Sequence, residues 1–209
     1  MKTEKFEQSK FGFPFIAYIA DDVTDSPAII FQLHGAGERG SGGEDLDKVL
    51  VNGFANILDC DEFSNCVLVM PQCPFDSFWV AKIESLKKFI DGVVEYYHAD
   101  KKRISLTGMS MGGFGTWYTA MAYPDIFCAI APCCGGGMPW NAEVLKMPVW
   151  AFHGDCDDVV LASNSVDMVD SLKKTNDNVR LDIYSGVGHN SCEKAFSKDL
   201  LLWLLQQHK

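Results

Sequence analysis

No stretch of this chain approaches the roughly 20 consecutive apolar residues that a membrane span requires. Basic residues are scarce: 18 Lys and Arg stand against 28 Asp and Glu, a net charge of −10. Nucleic acids and anionic lipid surfaces are bound through Lys/Arg patches, so neither is an expected partner. The one basic cluster, Lys101-Lys102-Arg103, reads as a solvated loop ahead of a strand. The eight cysteines (60, 66, 73, 128, 133, 134, 156 and 192) form no C-x-x-C pair and lack the spacing of a small disulfide scaffold. That argues against a structural zinc site, and they read as reduced, mostly buried thiols of a cytoplasmic protein. Repeats, linkers and low-complexity segments are missing too, and 209 residues suit one domain.

What the chain does have is alternation. Ala28 to Leu33, Cys66 to Met70, Phe127 to Cys133 and Pro148 to Phe152 are apolar runs of strand length, and Val179 to Tyr184 alternates as a strand does. Between them, Ala81 to His98 places Ile83, Leu86, Ile90, Val93 and Tyr97 at helical spacing. Ala162 to Lys174 turns Val166, Val169 and Leu172 inward, and Glu193 to Gln207 gathers Phe196, Leu200, Trp203 and Leu204 on one helical face. The pattern predicts an α/β fold with a mostly parallel sheet covered by helices on both faces. Phe11 to Ala20 superficially resembles the apolar core of a signal peptide. Its proline and its alternation of aromatic and small residues predict an antiparallel first strand instead.

The most informative segment is Thr107-Gly108-Met109-Ser110-Met111-Gly112-Gly113, a G-x-S-x-G motif. A short apolar run, Arg103 to Leu106, precedes it, and a predicted helix from Phe114 to Tyr123 follows. A serine on such a strand-to-helix turn is held with its hydroxyl pushed out of the sheet, and the flanking glycines prevent collision with neighbouring backbone. Ser110 is therefore the candidate nucleophile.

A serine needs a base and an acid to act. Of the five histidines, His98 and His208 lie near the ends of helical segments, and His34 opens a glycine-rich loop. His153 closes an apolar run, where packing or a hydrogen bond is expected. His189, in Gly186-Val187-Gly188-His189, sits on a short loop that can carry its ring over a serine from another loop. The candidate acids lie in His153-Gly154-Asp155-Cys156-Asp157-Asp158. Asp157 suits the reach to a histidine ring, Asp155 is the reserve, and Asp158 is expected to face water. The cluster lacks the glycine and distal glutamate of a calcium loop, so no metal is expected there. An oxyanion site needs two converging amides. Met111, after the nucleophile, and Ala36, in the glycine-rich loop Leu33 to Gly40, are the candidates.

These pieces together resemble a serine hydrolase of the α/β-hydrolase superfamily, and within it the carboxylesterase, predicted-peptidase and poly(3-hydroxybutyrate)-depolymerase-like group. The matching segments are LHGAGERG (33–40), PQCP (71–74), RISLTGMSMGGFGTWYTAMAYPD (103–125), APCCGGG (131–137), VWAFHGDCDDVV (149–160) and GVGHNS (186–191). The resemblance implies the α/β-hydrolase fold, a Ser110–Asp157–His189 triad, an oxyanion hole of the Ala36 and Met111 amides, and no cofactor. Asp158 and Leu161 stand where relatives often carry proline, and Cys192 where an aromatic is frequent.

About fourteen residues separate the strands ending at Cys133 and starting at Pro148, too few for a helical lid domain. An open site is expected, with Phe78, Trp79, Met138 and Trp140 as candidate walls of the acyl or alcohol pocket. The expected reaction is hydrolysis of a small-molecule ester with a short acyl group. A peptidase or acyl-thioesterase with the same triad is the alternative within enzymes. A non-catalytic hydrolase-fold binding protein is the alternative outside them.

Overall fold

The computed structural model describes residues 1–58 and 63–209; Cys60, counted above among the thiols, lies outside them. Eight strands form one sheet: β1 (Lys2–Phe6), β2 (Phe15–Ile19), β3 (Ala28–Leu33), β4 (Cys66–Pro71), β5 (Ile104–Met109), β6 (Ala129–Cys133), β7 (Val149–Gly154) and β8 (Val179–Tyr184). Their spatial order is β1-β2-β4-β3-β5-β6-β7-β8. The pairs β1/β2 and β2/β4 are antiparallel, and every pair from β4/β3 to β7/β8 is parallel.

The central strands are apolar on both faces because both faces are covered. Ile29, Phe31 and Leu33 of β3 and Val67 and Val69 of β4 join one core, while Ile30, Leu68 and Met70 join a second core on the other side. Helices α1 (Ile83–Tyr96), α2 (Met111–Ala122) and α3 (Ser163–Leu172) cover the first face with Leu86, Phe89, Trp117 and Met168. A short helix α4 (Cys192–Ala195), helix α5 (Lys198–Gln206) and the 3-10 segment Gly43–Leu50 cover the second with Ala195, Leu200, Leu204, Leu46 and Val49. The α/β-hydrolase architecture expected from the sequence is the one observed. No described helix is long and apolar enough to cross a membrane.

Three expectations need correction. Phe11 to Ala20 contributes the second strand, not the first, and only Phe15–Ile19 of it pairs. The first strand is Lys2–Phe6, a polar edge segment whose ladder to β2 and Phe6–Phe15 stacking hold it where its composition alone would not. The C-terminal helix is two helices. Ser197 adopts an extended backbone and its side chain accepts a hydrogen bond from Leu200 N, so it starts α5 as an N-cap. Ile83 of α1, Tyr97 just after it and Val166 of α3 are only half-buried. Phe89 and Val94 take the inward places in α1, and Ser165 and Met168 in α3.

Candidate active site

Ser110 stands between the last residue of β5 and the first of α2, with φ +53 and ψ −118. A non-glycine residue in that region is strained and persists only where its surroundings dictate it. Here its amide donates to Cys133 O (2.9 Å) and its carbonyl accepts from Phe114 N (3.0 Å), pinning the turn at both ends. Gly108 and Gly112 make it possible. A Cβ on Gly108 would lie 2.5 Å from Gly112 O, and one on Gly112 would lie 2.1 Å from Leu33 O.

The loop after β8 and the loop after β7 meet this serine. His189 Nε2 is 2.8 Å from Ser110 Oγ, and His189 Nδ1 is 2.8 Å from Asp157 Oδ2. Asp157 is buried, and its Oδ1 accepts from Val159 N (3.0 Å) and Val160 N (2.9 Å). Burial works against its charge, but the bonds from His189, Val160 and Val159 outweigh it and leave its pKa below the usual carboxylate value. The reserve acid, Asp155, is exposed and does something else. Its Oδ1 accepts from Gly186 N (2.7 Å), bracing the loop that carries His189. Asp158 is exposed, as expected.

Met111 is the first residue of α2, where helix geometry leaves its amide without an intrahelical acceptor. Ala36 opens a 3-10 turn, Ala36–Glu38, directly after Gly35. A Cβ on Gly35 would lie 3.7 Å from Ser110 Cβ, so this loop passes close to the serine. Two buried polar residues shape it. His34 Nε2 accepts from Cys73 N (2.9 Å) while Nδ1, facing Gly35 O at 2.6 Å, donates; burial depresses its pKa to about 4 and keeps it neutral. Gln72 donates to Glu38 O (3.1 Å) and Asp45 O (2.8 Å) and accepts from Gly42 N (2.9 Å). A polar residue inside the apolar segments LHG and PQC was the available sign of this scaffold.

The pocket expectations fare differently. Trp79 is fully buried and cannot wall a pocket. It fills the space left by Gly115 of α2, packs on Phe13 and His34, and donates from Nε1 to His34 O (3.0 Å). Met138 is half-buried against the first core. Trp140 is 79% exposed on the 3-10 turn Pro139–Val144 that links β6 to β7. Phe78, beside Trp79, is exposed.

Two residues behind the site escaped the sequence reading of roles. His153, at 0% exposure, places Nε2 2.8 Å from Val160 O and 3.3 Å from Asp157 Oδ2. Its Nδ1 is 2.7 Å from Ser165 Oγ, whose hydroxyl donates to Gly135 O (3.0 Å). Cys134, a buried residue with φ +47, places its sulfur 2.7 Å from Ser191 Oγ and 3.5 Å from both Cys133 Sγ and His189 O. The contact with Cys133 and the Ser191 hydroxyl lower the Cys134 thiol pKa against its burial, while burial raises that of Cys133. All seven described cysteines are free thiols, and only Cys156 is exposed.

A sheet of this order with a strained serine at the strand-to-helix turn defines an α/β-hydrolase. Residues 76–200 match the phospholipase/carboxylesterase family of that fold, and the chain belongs to this family. Over 86 residues it is 33% identical to a bifunctional acetylxylan esterase/xylanase of Neocallimastix patriciarum, covering 41% of this chain and 12% of that protein. Over 52 residues it is 38% identical to poly(3-hydroxyalkanoate) depolymerase C of Paucimonas lemoignei, covering 25% and 13%. The chain thus spans about an eighth of either relative. Among solved structures, a thermostable esterase matches with a TM-score of 0.80 and 28% identity, over 100% of this chain and 63% of that one.

Proposed function

We propose that the chain hydrolyses small carboxylic esters with short acyl groups through a Ser110–His189–Asp157 triad. The observation that carries this reading is the unbroken hydrogen-bonded line from buried Asp157 through His189 to Ser110 Oγ. Ser110 attacks the ester carbonyl while His189 Nε2 takes its proton, and Asp157 holds the ring in the Nδ1–H tautomer and stabilises its cation. The amides of Met111 and Ala36 bind the oxyanion. His189 returns the proton to the leaving alcohol, and water then releases the acyl group by the same route.

Family membership and the esterase relatives support ester cleavage. The acyl or alcohol part is expected to meet an open apolar rim. Phe75 and Phe78 follow β4, Trp140 follows β6, and Val159 and Leu161 follow β7, all exposed and all past the C-terminal ends of strands parallel to β5. The test compares para-nitrophenyl acetate and an acetylated sugar with an aminoacyl anilide. Turnover of the esters with the anilide far slower is expected; comparable anilide cleavage would support a peptidase instead.

A further inference from the structure

Behind Ser110 three groups of unlike chemistry converge. The sulfur of Cys134, a carboxylate oxygen of Asp157 and a ring nitrogen of His189 all lie within 4.8 Å of one another. Cys134 and Asp157 are buried, and the His189 side chain is 23% exposed, so the cluster has one side open towards solvent. We propose that this cluster is an inhibitory binding site for one thiophilic divalent cation, zinc or cadmium, ligated by Cys134, Asp157 and His189.

The donor set decides the class of ion. One thiolate, one imidazole and one carboxylate suit a borderline-soft metal, whereas magnesium and calcium take oxygen ligands. Tetrahedral zinc, with Zn–S near 2.3 Å and Zn–N near 2.0 Å, needs ligand atoms roughly 3.3–3.6 Å apart. His189 Nδ1 and Asp157 Oδ2, now 2.8 Å apart, would open by about half an ångström, and the sulfur, within 4.8 Å of its partners, would close in by at most about one. Movement of the His189 loop supplies the opening, because that ring is the exposed member, and rotation of the Cys134 side chain would have to bring its sulfur towards the Asp157 oxygen. The fourth position is left to solvent, as in open zinc sites.

Inhibition follows from the proton count, and this part rests on the triad reading. Cys134 releases its thiol proton to solvent on binding. The ion occupies Nδ1, the nitrogen facing Asp157, so the neutral imidazole carries its single proton on Nε2. Nε2 then has no lone pair for the Ser110 hydroxyl, and the base is lost.

The test begins with a protein in which ester chemistry plays no part. Ser110→Ala/Cys156→Ala, lacking the nucleophile and the exposed thiol, is titrated with cadmium chloride while the ultraviolet charge-transfer band of a cadmium–thiolate bond is followed. One equivalent should saturate the band. Adding Cys134→Ala, or Cys134→Ser if the alanine form fails to fold, should abolish it, and adding His189→Ala should weaken binding at least about tenfold. No band in the parent, or an unchanged band without Cys134, overturns the site. With Ser110 restored, zinc should block para-nitrophenyl acetate hydrolysis reversibly by chelator. The Cys134→Ala form should resist at least about tenfold more zinc; equal sensitivity overturns the inhibitory role. A chain that hydrolyses no ester would sink the esterase reading and leave the cadmium result to stand or fall separately.

Discussion

His153 Nε2 stands 3.3 Å from the Asp157 oxygen that His189 Nδ1 approaches at 2.8 Å. Asp157 is therefore held by His189 and two backbone amides, with the His153 ring lying against the same oxygen. Removing the second imidazole should misplace the acid rather than the substrate. His153→Ala should lower kcat about tenfold or more by loosening the carboxylate this ring lies against, with KM nearly unchanged. His153→Gln, which keeps a donor, should recover part of the loss. A KM effect without a kcat effect would show that His153 only packs.

The two aspartates of the loop after β7 can be separated kinetically. Asp157→Asn should cost about ten-thousandfold in kcat through the wrong histidine tautomer. Asp155→Asn keeps an oxygen acceptor for Gly186 N and removes only a charge at an exposed site, and its loss should stay within about tenfold. The reverse ranking would reassign the acid.

His34 should make the fold acid-labile. Its folded-state pKa is about 4 against an ordinary 6.5, so between those values the unfolded chain binds more protons and stability falls as pH falls. The contribution is fully present above about pH 6.5 and lost by about pH 4, at most roughly 3 kcal/mol. Asp157, also depressed, adds a loss of the same sign at lower pH. Urea unfolding from pH 7 to 4 should show the slope, and His34→Gln should flatten its upper part. An unchanged slope in that variant would mean His34 is not the group responsible.

The site was more legible than its surroundings. β3 and β8 run over the residues their patterns mark; the apolar continuity of β3 reports its burial, whereas β8 keeps the strand its alternation marks with Ile183 exposed. Ser110, Asp157 and His189 were readable as candidates that meet because each sits on a short loop directly after a strand, where parallel topology brings strand ends together. Trp79 was misread because a turn aromatic looks the same whether it lines a pocket or fills the hollow that a glycine on another helix leaves. The pairing of His153 and Cys134 with the site had no sequence signal, since it depends on loop backbones such as the left-handed Cys134. The break at Ser197 hid inside a continuous helical pattern.

Substrate length tests the open rim. Only a short 3-10 turn, Pro139–Val144, bridges β6 and β7, and its Trp140 lies out in solvent, so little wall exists for a long acyl chain. Acetyl to butyryl esters should give the highest kcat/KM, with a fall beyond about eight carbons, although each buried methylene could contribute ~0.8 kcal/mol. A rise through about twelve carbons would point to a long groove and a lipase- or thioesterase-like preference.

The most direct measurement is covalent labelling of the folded chain with a fluorophosphonate, followed by peptide mapping. One adduct per chain is expected, on the peptide carrying Ser110. Its formation should slow at least about a thousandfold in His189→Ala, in parallel with para-nitrophenyl acetate hydrolysis. No adduct on the folded protein, or an adduct elsewhere with hydrolysis intact after Ser110→Ala, would contradict the triad.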